Sequence, residues 1–191
     1  TPLYSSAASD VYKRQPLAIP IKGINVIMGL KYSGKFGELP SEVELEETVS
    51  VVKNELRCNS VRLMGDYEDE MISLAQRFVD ERFNTIILNP YYRRSAPNTD
   101  TDIEQHIAHF EQFCEKAETL RQKSDSVLLS VGNELSLSTK GILAGDTKAE
   151  RSQELAKQWG SQEYQRKLNS YLERLVDIAR GRFNGKITYA K

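Results

Sequence analysis

Short apolar segments alternate with longer amphipathic segments along most of the chain, and this alternation predicts its secondary structure. Apolar runs of four or five residues are typical of strands that are buried on both faces of a sheet. They occupy residues 24–28, 60–63, 85–88, 127–131 and 186–189. Apolar side chains at helical spacing follow each of the first four runs, within residues 42–56, 69–82, 102–123 and 155–180. The pattern therefore predicts five strands separated by four helices.

Two places along the chain carry the sequence signature of a helix start. A Ser or Thr followed three residues later by Glu forms a capping box, in which each side chain bonds the backbone N–H of the other residue. Ser41 with Glu44 has this spacing, and so has Thr147 with Glu150. We expect helices to begin just after Ser41 and just after Thr147.

Short apolar strands separated by helices are typical of an α/β protein with a parallel sheet. Two architectures fit this order, an open doubly wound sheet and a (β/α)8 TIM barrel. We favour the barrel, because polar and aromatic residues cluster just after the strands and long connections follow strands rather than precede them. A TIM barrel takes about 250 residues. The chain has 191 residues, so we expect it to hold the N-terminal five β/α units of an incomplete barrel, truncated at strand five.

The first 15 residues, TPLYSSAASDVYKRQ, have neither a helical nor a strand period. The run SSAASDVYKRQ resembles a translated sequencing-adaptor tail, which implies a non-native segment. The alternative is a disordered native tail. Both interpretations place the partial barrel domain at residues 16–191.

Composition and charge exclude some functions. The formal net charge is −1, whereas a nucleic-acid-binding surface normally shows a basic excess. No apolar run approaches the length of a membrane span, and no secretory signal is visible, so a cytoplasmic location is the default expectation. We therefore expect no nucleic-acid partner and no membrane. The sequence leaves the oligomeric state open.

The strongest functional motif follows the fourth predicted strand, where LLSVG leads into Asn133 and Glu134. An Asn-Glu pair at this place resembles the acid/base motif of the large clan of retaining TIM-barrel glycoside hydrolases. Arg62, at the predicted end of strand two, also matches that clan, in which an Arg there supports the nucleophile. The run NELSLSTKGILAGDT is more narrowly similar to uncharacterised barrel proteins labelled abortive-infection proteins.

The resemblance implies cleavage of O-glycosidic bonds, with Glu134 as general acid/base and a second carboxylate about 5 Å away. In the clan this carboxylate comes from strand seven, so we expect the chain alone to be inactive. Asn133 would donate a hydrogen bond to a sugar hydroxyl. Other residues that follow strands would bind the carbohydrate, namely Asn89, Tyr91, Tyr92 and Tyr32. Hydrolysis by two carboxylates needs no cofactor.

Three alternatives stay open. In the first, Glu134 is an ordinary residue at a strand end that caps a loop or pairs with Arg62. The barrel is also compatible with a non-catalytic protein that binds a carbohydrate or a partner in a defence or regulatory system. His106 and His109 lie three residues apart, but a helix outside the barrel is a poor place for a metal, and we expect none.

Overall fold

The computed structural model describes residues 21–28, 40–65, 67–90 and 103–190. Five strands in these ranges form one sheet, in which every neighbouring pair is parallel. The strands are β1 (Gly23–Met28), β2 (Ser60–Gly65), β3 (Thr85–Pro90), β4 (Val127–Asn133) and β5 (Ile187–Ala190). Their spatial order is β1-β2-β3-β4-β5, the order of the sequence, with no reversal. The expected α/β class with a parallel sheet is confirmed.

Helices connect the strands. They are α1 (Glu42–Ser50), α2 (Glu68–Asp80), α3 (Ile103–Arg121), α4 (Leu135–Ser138), α5 (Lys148–Gln158) and α6 (Gln162–Arg182). A π-helical stretch, Val51–Glu55, extends α1. Both expected capping boxes are present, at the starts of α1 and α5.

The single helix predicted for residues 155–180 is wrong. The structure has two helices here, α5 and α6, because the backbone leaves the helical conformation at Trp159, with ψ 119°, and at Gly160, with φ 84°. Apolar spacing continues across this break, so the pattern of hydrophobic residues hides it. The side chain of Ser161 then caps α6 by accepting a hydrogen bond from the backbone N–H of Tyr164.

The helices form a layer against one face of the sheet. Along the chain α1 contacts α2, α2 contacts α3, and α3 contacts α6. Alternate strand residues point into the core that these helices share, and we call this side the covered face. It comprises Ile24, Val26, Met28, Val61, Leu63, Ile86, Leu88, Val127, Leu129, Val131, Ile187 and Tyr189.

The intervening strand residues point the other way and form a second surface, here called the open face. None of them belongs to the helix-packed core, and they mix polar with apolar side chains. On the first four strands they are Asn25, Ile27, Arg62, Met64, Ile87, Asn89, Leu128 and Ser130. Exposure falls from the edge inward, since Ile27 on β1 is 49% exposed and Asn89 on β3 is 0% exposed.

Candidate functional site at the carboxyl end of the sheet

The Asn-Glu motif lies where β4 ends, as expected. Asn133 is the last residue of β4, and Glu134 directly precedes the short helix α4. The backbone of Glu134 is left-handed, with φ 47° and ψ 42°, a conformation that residues other than glycine rarely adopt. Strained backbone of this kind is concentrated at functional sites, where the surrounding structure holds it in place.

Gly132 makes this turn possible. Its φ is 149°, and a Cβ added there would lie 2.7 Å from the side chain of Leu135. Leu135 is buried at the start of α4, so it has little room to move. A glycine at this position therefore lets the chain turn sharply from β4 and present Asn133 and Glu134 at the edge of the sheet.

A hydrogen bond across the open face joins Arg62 to Asn133. Nη2 of Arg62 donates to Oδ1 of Asn133 over 3.0 Å. Since β3 lies between β2 and β4, and neighbouring strands are about 4.8 Å apart, the Arg62 side chain reaches across β3 to make this bond. The structure thus brings together two of the three residues on which the resemblance to glycoside hydrolases rests.

The position of Arg62 within its strand differs from the prediction. The apolar run predicted a strand that ends at Leu63, whereas β2 continues through Gly65. Met64 and Gly65 pair in register with Asn89 and Pro90 of β3, which extends the strand beyond its apolar part. Arg62 is therefore in the middle of β2, and only the length of its side chain carries the guanidinium to the carboxyl end.

The bond to Arg62 fixes the orientation of the Asn133 amide. A guanidinium has only donors, so it must meet the amide oxygen and leaves the Nδ2 amino group on the other side. No residue in the described ranges accepts a hydrogen bond from that Nδ2. The amino group of Asn133 is thereby directed away from Arg62.

Glu134 forms an ion pair with Lys148 of α5, with Oε2 and Nζ 3.6 Å apart. Both side chains are 51% exposed. The alternative in which Glu134 pairs with Arg62 is wrong, because Arg62 bonds Asn133 instead. The charge of this carboxylate also acts on Tyr189 of β5. Burial raises the pKa of Tyr189, and the charge of Glu134 adds to the rise.

A buried arginine shapes the connection that follows Glu134. Arg151 on α5 is 0% exposed. Its Nε donates to the carbonyl oxygen of Leu137 over 2.8 Å, and its Nη1 donates to that of Gly145 over 3.1 Å. These two bonds hold the chain at Leu137 and at Gly145 against α5, and they thereby fix the position of Lys148 on α5. The capping box predicted the start of α5, but nothing in the sequence pattern indicated that Arg151 is buried.

Asn89, like Arg62, is a polar residue of the open face, and its surroundings are unusual. It is fully buried, and neither its Oδ1 nor its Nδ2 has a hydrogen-bond partner among the described residues. Each buried polar group that lacks a partner costs about 1–3 kcal/mol of stability. Most buried side-chain polar groups in native proteins are paired, so an exception calls for an explanation.

The predicted site also includes three tyrosines. Tyr32, Tyr91 and Tyr92 are outside the described residues. His106 is buried and bonds the hydroxyl of Tyr171 through Nδ1, and burial lowers its pKa to about 3. The described part of the chain contains no cluster of three His, Cys, Asp or Glu side chains that could hold a metal ion.

Comparisons with known proteins add no family assignment. No protein-family model matches the chain, and a search of curated proteins finds no significant match. Among the described helices, none combines the length and apolar character that a membrane crossing requires.

Proposed function

We propose that the sheet is the N-terminal five-strand part of a TIM barrel that belongs to a glycoside hydrolase-like protein. In a barrel the strands follow one another in sequence order, and the helices lie only on the outside. The observed strand order and the single helix layer agree with both requirements. The open face then corresponds to the barrel interior, and the carboxyl ends of the strands correspond to the mouth where such enzymes bind substrate.

In this proposal Glu134 is the general acid/base and Asn133 binds a sugar hydroxyl beside it. The observation that carries the proposal is the hydrogen bond from Arg62 to Asn133. It is made across an intervening strand, at the residue that directly precedes Glu134, and it turns the Asn133 amino group toward a ligand. An amide with no binding role would not need its orientation fixed by an arginine from two strands away.

Arg62 also suits the second carboxylate that the reaction requires. Its side chain is half-buried, and no carboxylate in the described ranges forms an ion pair with it. An arginine in partly dry surroundings binds a carboxylate strongly and in a fixed geometry. A nucleophilic carboxylate from a later strand would be held beside Arg62 and across the sugar from Glu134, the pair that retaining glycosidases use.

A non-catalytic carbohydrate- or partner-binding barrel is the second candidate. The ion pair between Glu134 and Lys148 favours it, because a carboxylate engaged by an ammonium group must leave that partner before it can donate a proton to a substrate. In this version Asn133 and Arg62 bind a ligand and Glu134 holds the connection to α5.

The test compares Glu134→Gln with the parent in the complete reading frame of the gene, on aryl glycosides with good and poor leaving groups. Loss of a general acid slows turnover by about 10²–10⁴-fold. In kcat/KM, which reports the first step, the loss should be largest for poor leaving groups such as phenol, which need protonation, and much smaller for dinitrophenol, which departs as a stable anion. Glu163→Gln, an exposed carboxylate on α6, is the matched control and should leave both rates unchanged.

Equal losses of kcat/KM for both leaving groups would argue against an acid role for Glu134. Absence of turnover in the complete protein, together with measurable sugar binding, would favour the non-catalytic candidate. The 191-residue chain should show no turnover by itself, and activity of this chain would contradict the need for a carboxylate from a later strand.

A further inference from the structure

Lys148, the first residue of α5, stands beside the Asn-Glu motif. Its Nζ lies 3.6 Å from Oε2 of Glu134, and about half of each side chain is exposed. The N-terminus of a helix carries a partial positive charge, which disfavours a cation there, whereas the C-terminus favours one. Lys157, in the last turn of α5, is at the favoured end. Helix stability therefore does not account for a lysine at the start of α5.

The ammonium group of Lys148 is held beside Glu134 by the way α5 is attached. Arg151, on the first turn of α5, is fully buried and bonds the carbonyl oxygens of Leu137 and Gly145. Arginine is almost never buried completely unless its charge is paired or bonded. Because Leu137 follows Glu134 by three residues, these bonds tie the start of α5 to the chain that follows the motif. The pair is thus positioned by buried structure, although both charged ends remain accessible.

The proposed reaction removes the counter-charge of Lys148. A general acid must carry its proton before the leaving group departs, and a protonated Glu134 no longer balances the ammonium group. The charge of Lys148 then lies next to the positive end of α5 without compensation. An anionic group of the substrate would restore the balance at the same place. Since the acid protonates the leaving-group oxygen, that anionic group belongs to the leaving group.

We propose that Lys148 is a specificity-determining residue that selects glycosides whose leaving group carries an anionic substituent, such as a carboxylate, close to the scissile bond. The anion binds Lys148 in place of Glu134, and the carboxyl group of Glu134 is then able to keep its proton. The inference rests on the proposed glycosidase function. It also removes the conflict between the observed ion pair and the role of Glu134 as an acid.

The test uses the complete reading frame and two aryl glycosides that differ in one substituent. The 3-carboxyphenyl and 3-carbamoylphenyl glycosides have leaving groups of similar shape, and only the first is charged. The wild type should prefer the carboxylate about tenfold in kcat/KM at low ionic strength. The preference should shrink in about 0.5 M salt, because salt screens charges that are half-exposed.

Lys148→Met should separate selection of the substrate from a structural role. It should lower kcat/KM for the anionic glycoside about tenfold. Near neutral pH it should raise kcat/KM for the neutral glycoside about two- to fivefold, because the ion pair that opposes protonation of Glu134 is lost. Lys148→Arg keeps the charge and should retain the preference. Lys157→Met, at an exposed lysine near the other end of α5, is the matched control and should change neither rate.

Equal kcat/KM values of the wild type for the two glycosides would reject the inference and leave the glycosidase standing. Parallel losses for both glycosides in Lys148→Met would also overturn it, since Lys148 would then only support the fold. If no glycoside is hydrolysed, the proposed glycosidase fails, and calorimetry with the S-linked analogues of the same pair decides. A preference for the carboxylate that Lys148→Met abolishes would retain the anion-selective site, whereas equal binding would reject it as well.

Discussion

The two faces of the sheet differ in the polar side chains that they carry. On the covered face alternate side chains are aliphatic or aromatic and pack against a continuous helix layer. On the open face an arginine, two asparagines and a serine stand among isoleucine, leucine and methionine. Packing therefore accounts for one face, and the binding role proposed above would account for buried polar groups on the other face, which stability alone would replace with apolar ones.

Leu128 and Leu129 give the sharpest comparison, because consecutive residues of one strand point to opposite faces. Leu129 is 0% exposed in the helix-packed core, whereas Leu128 on the open face is half-buried. Leu129→Ala should lower the free energy of unfolding by about 3–5 kcal/mol, and Leu128→Ala by about 1–2 kcal/mol. Urea denaturation of both variants measures the difference. Equal losses would mean that the open face is packed as tightly as the covered one.

A substitution at Gly132 tests whether the turn that presents Asn133 and Glu134 requires a glycine. Gly132→Ala adds a Cβ 2.7 Å from the Leu135 side chain at a residue whose φ is 149°. It should therefore lower the free energy of unfolding by about 2–4 kcal/mol. Gly181 is its control, because nothing lies within 4 Å of a Cβ there and α6 is helical. Gly181→Ala should instead raise the free energy of unfolding by about 0.5–1 kcal/mol. A neutral Gly132→Ala, measured by thermal unfolding, would show that the turn can relax.

The pH dependence of stability tests how completely His106 is shielded from water in the helix layer. Burial lowers its pKa to about 3 in the folded protein from an ordinary 6.5, so only the unfolded chain takes up this proton as the pH falls below 6.5. Stability should therefore drop by about 1.5 kcal/mol between pH 6.5 and pH 5. His106→Gln should remove this slope, and His109→Gln should retain it. Hydrogen bonds lower the pKa of the Glu118 carboxyl to about 2. This group therefore reduces the stability of the fold only when the pH falls below about 4.5.

Hydrophobic periodicity predicted the strands well, and the reason lies in burial. Each of the five apolar runs coincides with a strand to within one or two residues, because one face of every strand is buried under the helices and most residues of the other face are apolar as well. The errors occur where another interaction decides. β2 continues through Met64 and Gly65 because they pair with Asn89 and Pro90. α5 and α6 separate at Gly160, although their apolar spacing runs on.

The candidate site was predictable only where strand ends supply its residues. Asn133, Glu134 and Asn89 follow from their places at the ends of β3 and β4. Arg62 was grouped with them from its strand, and it bonds Asn133 in the structure, but the reach of its side chain across β3 cannot be obtained from one-dimensional spacing. Lys148 as the partner of Glu134 and the buried guanidinium of Arg151 depend on how α5 folds back, which no periodicity encodes.

The strand order has a consequence for synthesis of the chain. Since each strand lies beside the one made immediately before it, every new β/α unit can dock as it leaves the ribosome, without waiting for a distant segment. Such short sequence separations between contacting residues favour rapid folding, and domains generally begin to fold during translation. The contact between α3 and α6 can form only after β4 and the connection that follows it have been made.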